Sequence, residues 1–214
     1  SFRRLNWYFP FFLMIILQSL PFAILVLLMT FYNRIDSVMI ERLIGGVQGK
    51  EQSGIYAHAY RLLDASNNIA YLFSVLLLPL FARQIKSGER VENLVRLSFT
   101  LLFVVSVILA AVSWFYRVEI MDLMYDHFIP ESASVFGVLM GCFIAISTTY
   151  VFGTLLTANG NLKQLNLIAA GGMLLNISLN VLLIPRFGAL GSAWTSLITQ
   201  GIMAIAQIIL VLIF

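Results

Sequence analysis

Charged residues are scarce in this 214-residue chain. Lys and Arg number 13 and Asp and Glu 10, together 11% of the sequence, against about 25% in an ordinary soluble domain. With 60% hydrophobic residues and a mean hydropathy of +0.94, that shortage excludes a soluble globular enzyme. Cysteine is nearly absent: the single Cys142 rules out an intramolecular disulfide or a cysteine-cluster metal site. The two histidines, His58 and His127, are far apart and fall near expected helix ends, which fits surface residues better than a metal pair or a proton relay. No Gly-x-Ser-x-Gly, His-Glu-x-x-His or P-loop pattern occurs, so the chain does not read as an enzyme. The stretch 117–131 carries spaced acids without the Asp, Asn and Gly pattern of a calcium loop. A pI near 9.2 comes from basic residues that flank apolar runs, a topological pattern that implies no nucleic-acid partner.

What the sequence has in abundance is uninterrupted apolar chain. Six uncharged runs, Leu5–Asn33, Ala65–Ala82, Leu97–Tyr116, Ser132–Leu162, Gln164–Pro185 and Phe187–Phe214, each reach the length of about 18 residues that a membrane crossing needs. The expected fold is an all-α, polytopic six-transmembrane-helix bundle. Pro21 suits the first turn of a helix, so the first span is expected at about 20–44. Residues 1–18 would then form a cytoplasmic, interfacial segment anchored by Trp7 and Tyr8. The remaining spans are expected at about 55–82, 94–116, 133–158, 164–186 and 190–214. Gly137 and Gly141 form a GxxxG, read as close packing inside the bundle rather than as a dimer face. The chain begins without Met and stops inside an apolar run, which fits a piece of a longer protein.

Loop charges set the orientation. With a cytoplasmic N-terminus, Arg3, Arg4, Arg83, Lys86, Arg90, Arg96 and Lys163 lie inside and Arg42, Lys50, Arg117 and Arg186 outside, a modest positive-inside bias. Six spans return the C-terminus to the same side. Four charges are left within the helices: Arg34, Asp36, Arg61 and Asp64. At about 1.5 Å rise per residue, Asp36 lies about 12 Å below the outer face, Arg61 about 10 Å and Asp64 about 15 Å. Asn176, Asn180 and Thr195 fall at about 15, 9 and 10 Å by the same rule. A charge facing lipid costs about 2.5–3.5 kcal/mol, so this polar layer should face water or itself. Arg61, Asp64 and Asn68 are spaced to form one stripe of their helix, and Asn176 and Asn180 share a face of theirs. A polar transport cavity explains the layer better than isolated structural pairs.

Two blocks carry a family resemblance. "SLPFAILVLLMTFYNRIDSVMIERL" followed by "SGIYAHAYRLLDASNNIAYLFSVLLLPLFAR" resembles the start of a lobe in polysaccharide flippases, where an Asp in the first helix precedes a Gly-Ile-Tyr-x-x-Ala-x-Arg helix ending in Leu-Pro. The segment "LLTANGNLKQLNLIAAGGMLLNISLNVLLIPRFGALGSAWTSLITQ" is similar to a later helix pair of the same proteins, with Asn-x-x-x-Asn, Ile-Pro and Gly-Ala-x-Gly-Ser-Ala at matching spacings. Together they cover roughly half the chain. The family is the multidrug/oligosaccharidyl-lipid/polysaccharide exporter superfamily, in its O-antigen or capsule flippase branch.

The resemblance implies two six-helix lobes around a central cavity, with this chain as the C-terminal lobe and the N-terminal lobe of the same protein as its partner in a bacterial inner membrane. It implies export of an undecaprenyl-diphosphate-linked oligosaccharide from the cytoplasmic to the periplasmic leaflet by alternating access. Arg34 and Arg61 would neutralise the diphosphate or acidic sugars. Asp64, Asn68, Tyr60 and Gln200 would line the substrate cavity beside them. Related lipid-precursor flippases carry a sodium site whose positions correspond here to Asp36, Asn176, Asn180 and Thr195. Asn180 stands where a carboxylate is expected, so the coupling ion is Na+ or H+, with no tightly bound cofactor. The alternative is a drug/cation antiporter of the same superfamily, which would call for a cavity of net negative charge. Two Arg against two Asp in the helices lean toward an anionic substrate.

Overall fold

The computed structural model describes residues 9–213, with side chains for 13–31 and 34–213. The described residues are helical almost throughout. They form α1 (Phe9–Ile44), α2 (Gly46–Ser87), α3 (Glu92–Phe115), the short α4 (Arg117–Met124), α5 (Ile129–Ala158) and a final rod, Leu162–Ile213. Five of these elements are long and apolar enough to cross a membrane. At 52 residues the last rod would measure about 78 Å, more than twice the hydrocarbon thickness of about 30 Å. It is two helices, α6 (162–187) and α7 (189–213), broken at Gly188, whose φ of 59° and ψ of −137° are not helical. Among the described residues the result is a multi-pass membrane bundle of six long helices, counting α6 and α7 separately.

Two boundaries differ from the expected ones. The first helix begins at Phe9 rather than near 20 and runs through Pro21 without interruption. Pro21 removes one backbone donor, yet in a run as apolar as Leu13–Phe31 breaking the helix would strand several more backbone groups in lipid. Asn166 of α6 also donates its Nδ2 to the Pro21 carbonyl at 3.0 Å. The helix start expected near 20 therefore moves to Phe9, and the anchors Trp7 and Tyr8 lie outside the described residues. The second helix begins at Gly46, well before 55. Gly45 and Gly46 take φ of 74° and 61°, a turn that glycine adopts freely. The polar stretch that follows, expected as a loop, is the first three turns of α2.

α5 is the central helix. It is buried along most of its length and packs against α2, α3, α4 and the α6–α7 rod. Its GxxxG lets neighbours approach: a Cβ on Gly137 would come within 3.0 Å of the Trp114 ring, and one on Gly141 would touch Leu197 at 3.5 Å. The main apolar core runs from Ile40, Ile55 and Tyr56 through Phe81, Leu139 and Phe143 to Ala189 and Ala193. A smaller cluster of Leu25, Leu156, Leu165 and Ala169 packs toward the opposite end. The α1–α2 turn and the Gly188 break lie at one end of the bundle, tied together by Gln52 Oε1, which accepts from the Ala189 amide at 2.9 Å. The α5–α6 turn lies at the other.

Candidate functional site

Connectivity places the site. Asp36 stands eight residues before the end of α1, Asn180 eight before Gly188 and Ser196 eight after it. At 1.5 Å per residue these three meet about 12 Å from the same end of the bundle. Tyr56 of α2, on the far side of the Gly45 turn, reaches the same level.

At that level Asp36 is buried, only 3% exposed, and its carboxylate is held by three donors from three helices. Tyr56 Oη donates to Oδ2 at 2.7 Å, Ser196 Oγ donates to Oδ2 at 2.7 Å, and Asn180 Nδ2 donates to Oδ1 at 2.7 Å. Asn180 Nδ2 also reaches Asn176 Oδ1 at 3.0 Å. Among the described residues the one ion pair is Arg34–Asp64, so Asp36 has only neutral partners. Among the described residues, Asn176 Nδ2 and Asn180 Oδ1 nearby, and Thr195 Oγ1 one position from Ser196, are buried without a hydrogen-bond partner. A buried carboxylate surrounded by neutral dipoles and unfilled oxygens calls for a positive charge, because an uncompensated ion in a low-dielectric interior is costly.

By exposure, the polar layer divides into two regions. Asp36, Asn176, Asn180 and Thr195 are all buried. Arg34, Arg61 and Asn68 are exposed on α1 and α2, with Asp64 partly so. Asp64 does not pair with Arg61 on its own helix. It faces Arg34 of α1 at 3.7 Å, with 68% of the Arg34 side chain and 48% of the Asp64 side chain exposed. Asn68 Nδ2 donates back to the Asp64 carbonyl at 3.0 Å. Tyr60 joins the two regions: its ring stacks on Tyr56 at 5.8 Å and lies 5.8 Å from the Arg34 guanidinium. Gln200 is buried inside the lobe rather than on the arginine face. His58 stacks on Tyr125 at 3.9 Å near the α4–α5 connection, and His127 is exposed.

Two partners of Asp36 were not anticipated from the sequence. Ser196, not its neighbour Thr195, donates the hydroxyl from α7. Adjacent helical residues point about 100° apart, so this choice depends on the rotation of α7, which only packing against α5 fixes. Tyr56 brings its hydroxyl from α2. Its signal was the Tyr-x-x-x-Tyr spacing of Tyr56 and Tyr60, which puts both rings on one helical face.

Neither models of known families nor curated proteins match the sequence. Among solved structures, the chain is similar to a transporter of the MOP superfamily from Pyrococcus furiosus, described as having a binding pocket of reversed polarity. The two superpose with a TM-score of 0.66 at 20% identity, over 87% of this chain and 42% of that one. The likeness is one of fold, and the chain spans less than half the length of that protein.

Proposed function

We propose that this chain is the C-terminal lobe of an exporter that flips an undecaprenyl-diphosphate-linked oligosaccharide across the bacterial inner membrane, coupled to a cation at Asp36. The observation that carries the substrate side is the exposed pair of arginines. Arg34 and Arg61 project from helices that cross the membrane, where a lipid-facing charge costs about 2.5–3.5 kcal/mol. Facing a water-filled cleft against a second lobe removes that cost and supplies two guanidiniums for a diphosphate, which guanidinium binds in bidentate fashion. Asp64 holds Arg34 in place, and Tyr60 and Asn68 offer hydroxyl and amide contacts to sugar.

The coupling side rests on Asp36. Its carboxylate with Asn176, Asn180 and Thr195 is an oxygen-rich set of hard donors, chemically suited to Na+, and the same carboxylate suits a proton. Bound charge would neutralise Asp36 and loosen the pull of its three donors on α2, α6 and α7. Because Tyr60 touches both regions, a change at Asp36 is felt at Arg34. That is the link an alternating-access cycle needs.

The test is genetic. Cells lacking the gene are complemented with the full-length wild type, Asp36→Asn or Arg61→Ala, and surface polysaccharide is compared with lipid-linked oligosaccharide held at the cytoplasmic leaflet. The proposal expects the intermediate to accumulate on deletion and with both variants. If deletion leaves the polysaccharide intact and raises sensitivity to cationic drugs, the antiporter of the same superfamily replaces it.

A further inference from the structure

Inside the lobe, on the side of Asp36 that faces the α5–α6 turn, lies a cavity of about 200 Å³. Its wall mixes apolar side chains such as Leu25, Met29 and Met203 with polar ones from Asn67 of α2, Thr149 and Thr157 of α5, and Gln200 and Gln207 of α7, and it reaches Leu165 in the first turn of α6. Gln207 is only 1% exposed, and among the described residues its Oε1 has no partner. Neither do Asn67 Oδ1 and Thr149 Oγ1. Gly153 leaves room for the amide, since a Cβ there would stand 3.1 Å from Gln207 Oε1. Leaving a buried polar group unpaired costs about 1–3 kcal/mol, whereas an ordered water costs at most about 2 kcal/mol and satisfies several groups at once. A space this size holds several waters, one water needing about 10–15 Å³.

A second space, of about 10 Å³, is lined by Asp36, Tyr60, Cys142, Ser196 and Gln200. It is the size of about one water. Gln200 and Ile146 belong to the walls of both spaces. Ser196, Gln200 and Gln207 follow one face of α7, four and then seven residues apart. A polar line thus runs from Asp36 past a one-water constriction at Gln200 and through the larger cavity toward the α5–α6 turn. From Ser196 to Gln207 it covers about 16 Å.

We propose that this line is a hydrated access route inside the lobe, separate from the arginine face, by which a monovalent cation passes between Asp36 and the membrane face carrying the α5–α6 turn. Gln200 is its narrow point, and the amide and hydroxyl oxygens of Asn67, Thr149 and Gln207 replace part of the ion's water shell or order a chain of waters for a proton. The proposal rests on the reading of Asp36 as the coupling site.

The experiment uses the full-length protein carrying Cys142→Ser, with single cysteines introduced as Gln200→Cys, Gln207→Cys and, on the outer surface of α7 where Ile209 is 51% exposed, Ile209→Cys. A small cationic methanethiosulfonate is added to sealed vesicles of either orientation. Gln207→Cys is expected to react at least tenfold faster than Ile209→Cys from the α5–α6 side only, with Gln200→Cys slower than Gln207→Cys. Equal, slow reaction at 207 and 209 means a dry cavity and overturns the route. In parallel, export by Gln207→Leu is followed while Na+ is varied at fixed pH and pH at fixed Na+. The expectation is at least a fivefold slower maximal rate with substrate affinity unchanged, the responsive series identifying the ion. A wild-type rate in Gln207→Leu overturns the route with the coupling role of Asp36 intact. Fast labelling with an Asp36→Asn protein that keeps wild-type cation dependence removes the coupling role instead, and the route's cargo with it.

Discussion

Asp36 and Asp64 stand on adjacent helices of one lobe and are treated in opposite ways. Asp36 is buried and bound by a tyrosine, a serine and an asparagine from three other helices, with no cationic side chain paired to it among the described residues. Asp64 is half exposed, and its nearest charge is Arg34 at 3.7 Å. The first arrangement is complete within the lobe except for a positive charge. The second is an ion pair open on one side. A membrane interior gives polar groups two ways to exist, satisfaction within the protein or contact with a hydrated cleft, and the proposed function assigns one to each aspartate. In the proposed function the enclosed site takes a small cation and the open one an anionic headgroup.

The sharpest way to break the comparison is to remove the enclosed charge. Asp36→Asn should abolish export, with at least a hundredfold loss in a whole-cell polysaccharide assay, while the protein still accumulates in the membrane as judged by immunoblot. Next in size is the open face. Arg61→Ala should lower export about tenfold through weaker substrate binding, the order of one charge-assisted hydrogen bond of about 1.5–3 kcal/mol, and Arg61→Lys should recover only part of it because an ammonium lacks the bidentate fork. Ser196→Ala removes one donor from Asp36, and the expected effect is a roughly three- to tenfold change in the cation concentration for half-maximal export, from the same 1.5–3 kcal/mol range discounted for relaxation. Thr195→Val tests the neighbouring hydroxyl: it donates nothing to Asp36, so an equal effect there would mean that Thr195 acts on the cation directly. The smallest expected change is Asp64→Asn. Exposed ion pairs contribute about 0.2–1 kcal/mol, so thermal stability should barely move, and any loss of export should stay under about fivefold.

Outside the site, Gly188→Ala should lower stability. Its φ of 59° lies in the left-handed region, and an added Cβ would collide with Gln52 Oε1, which also caps the Ala189 amide. A cost of about 1–3 kcal/mol should appear as a drop of several degrees in the melting midpoint of the detergent-solubilised protein.

Much of this organisation was legible in the sequence. Runs free of charge defined six crossings, and the spacing of Asn176 and Asn180 put both on one face. What the sequence concealed follows from three physical causes. Pro21 reads as a helix start in water, but lipid enforces continuity through it. The glycines at 45 and 46 and the polar residues after them read as a loop, although the turn is so tight that α2 starts at once. Helix rotation is invisible to a one-dimensional pattern, so Ser196 and Thr195 were indistinguishable, and the polar residues of α1 and α2 seemed to form one layer. In three dimensions, Asp36 and Arg34 are two residues and roughly 200° apart around α1, and the layer divides between the inside and the open face.

The division of labour between those faces is most directly tested by substrate binding. The full-length protein, purified in detergent, is titrated with a short-chain polyprenyl-diphosphate oligosaccharide, comparing wild type, Asp36→Asn and Arg61→Ala by native mass spectrometry. If the open face holds substrate and the buried site only drives the cycle, Asp36→Asn binds within threefold of wild type although it does not export, and Arg61→Ala binds about tenfold more weakly. Strong loss of binding in Asp36→Asn together with unchanged binding in Arg61→Ala would contradict the account.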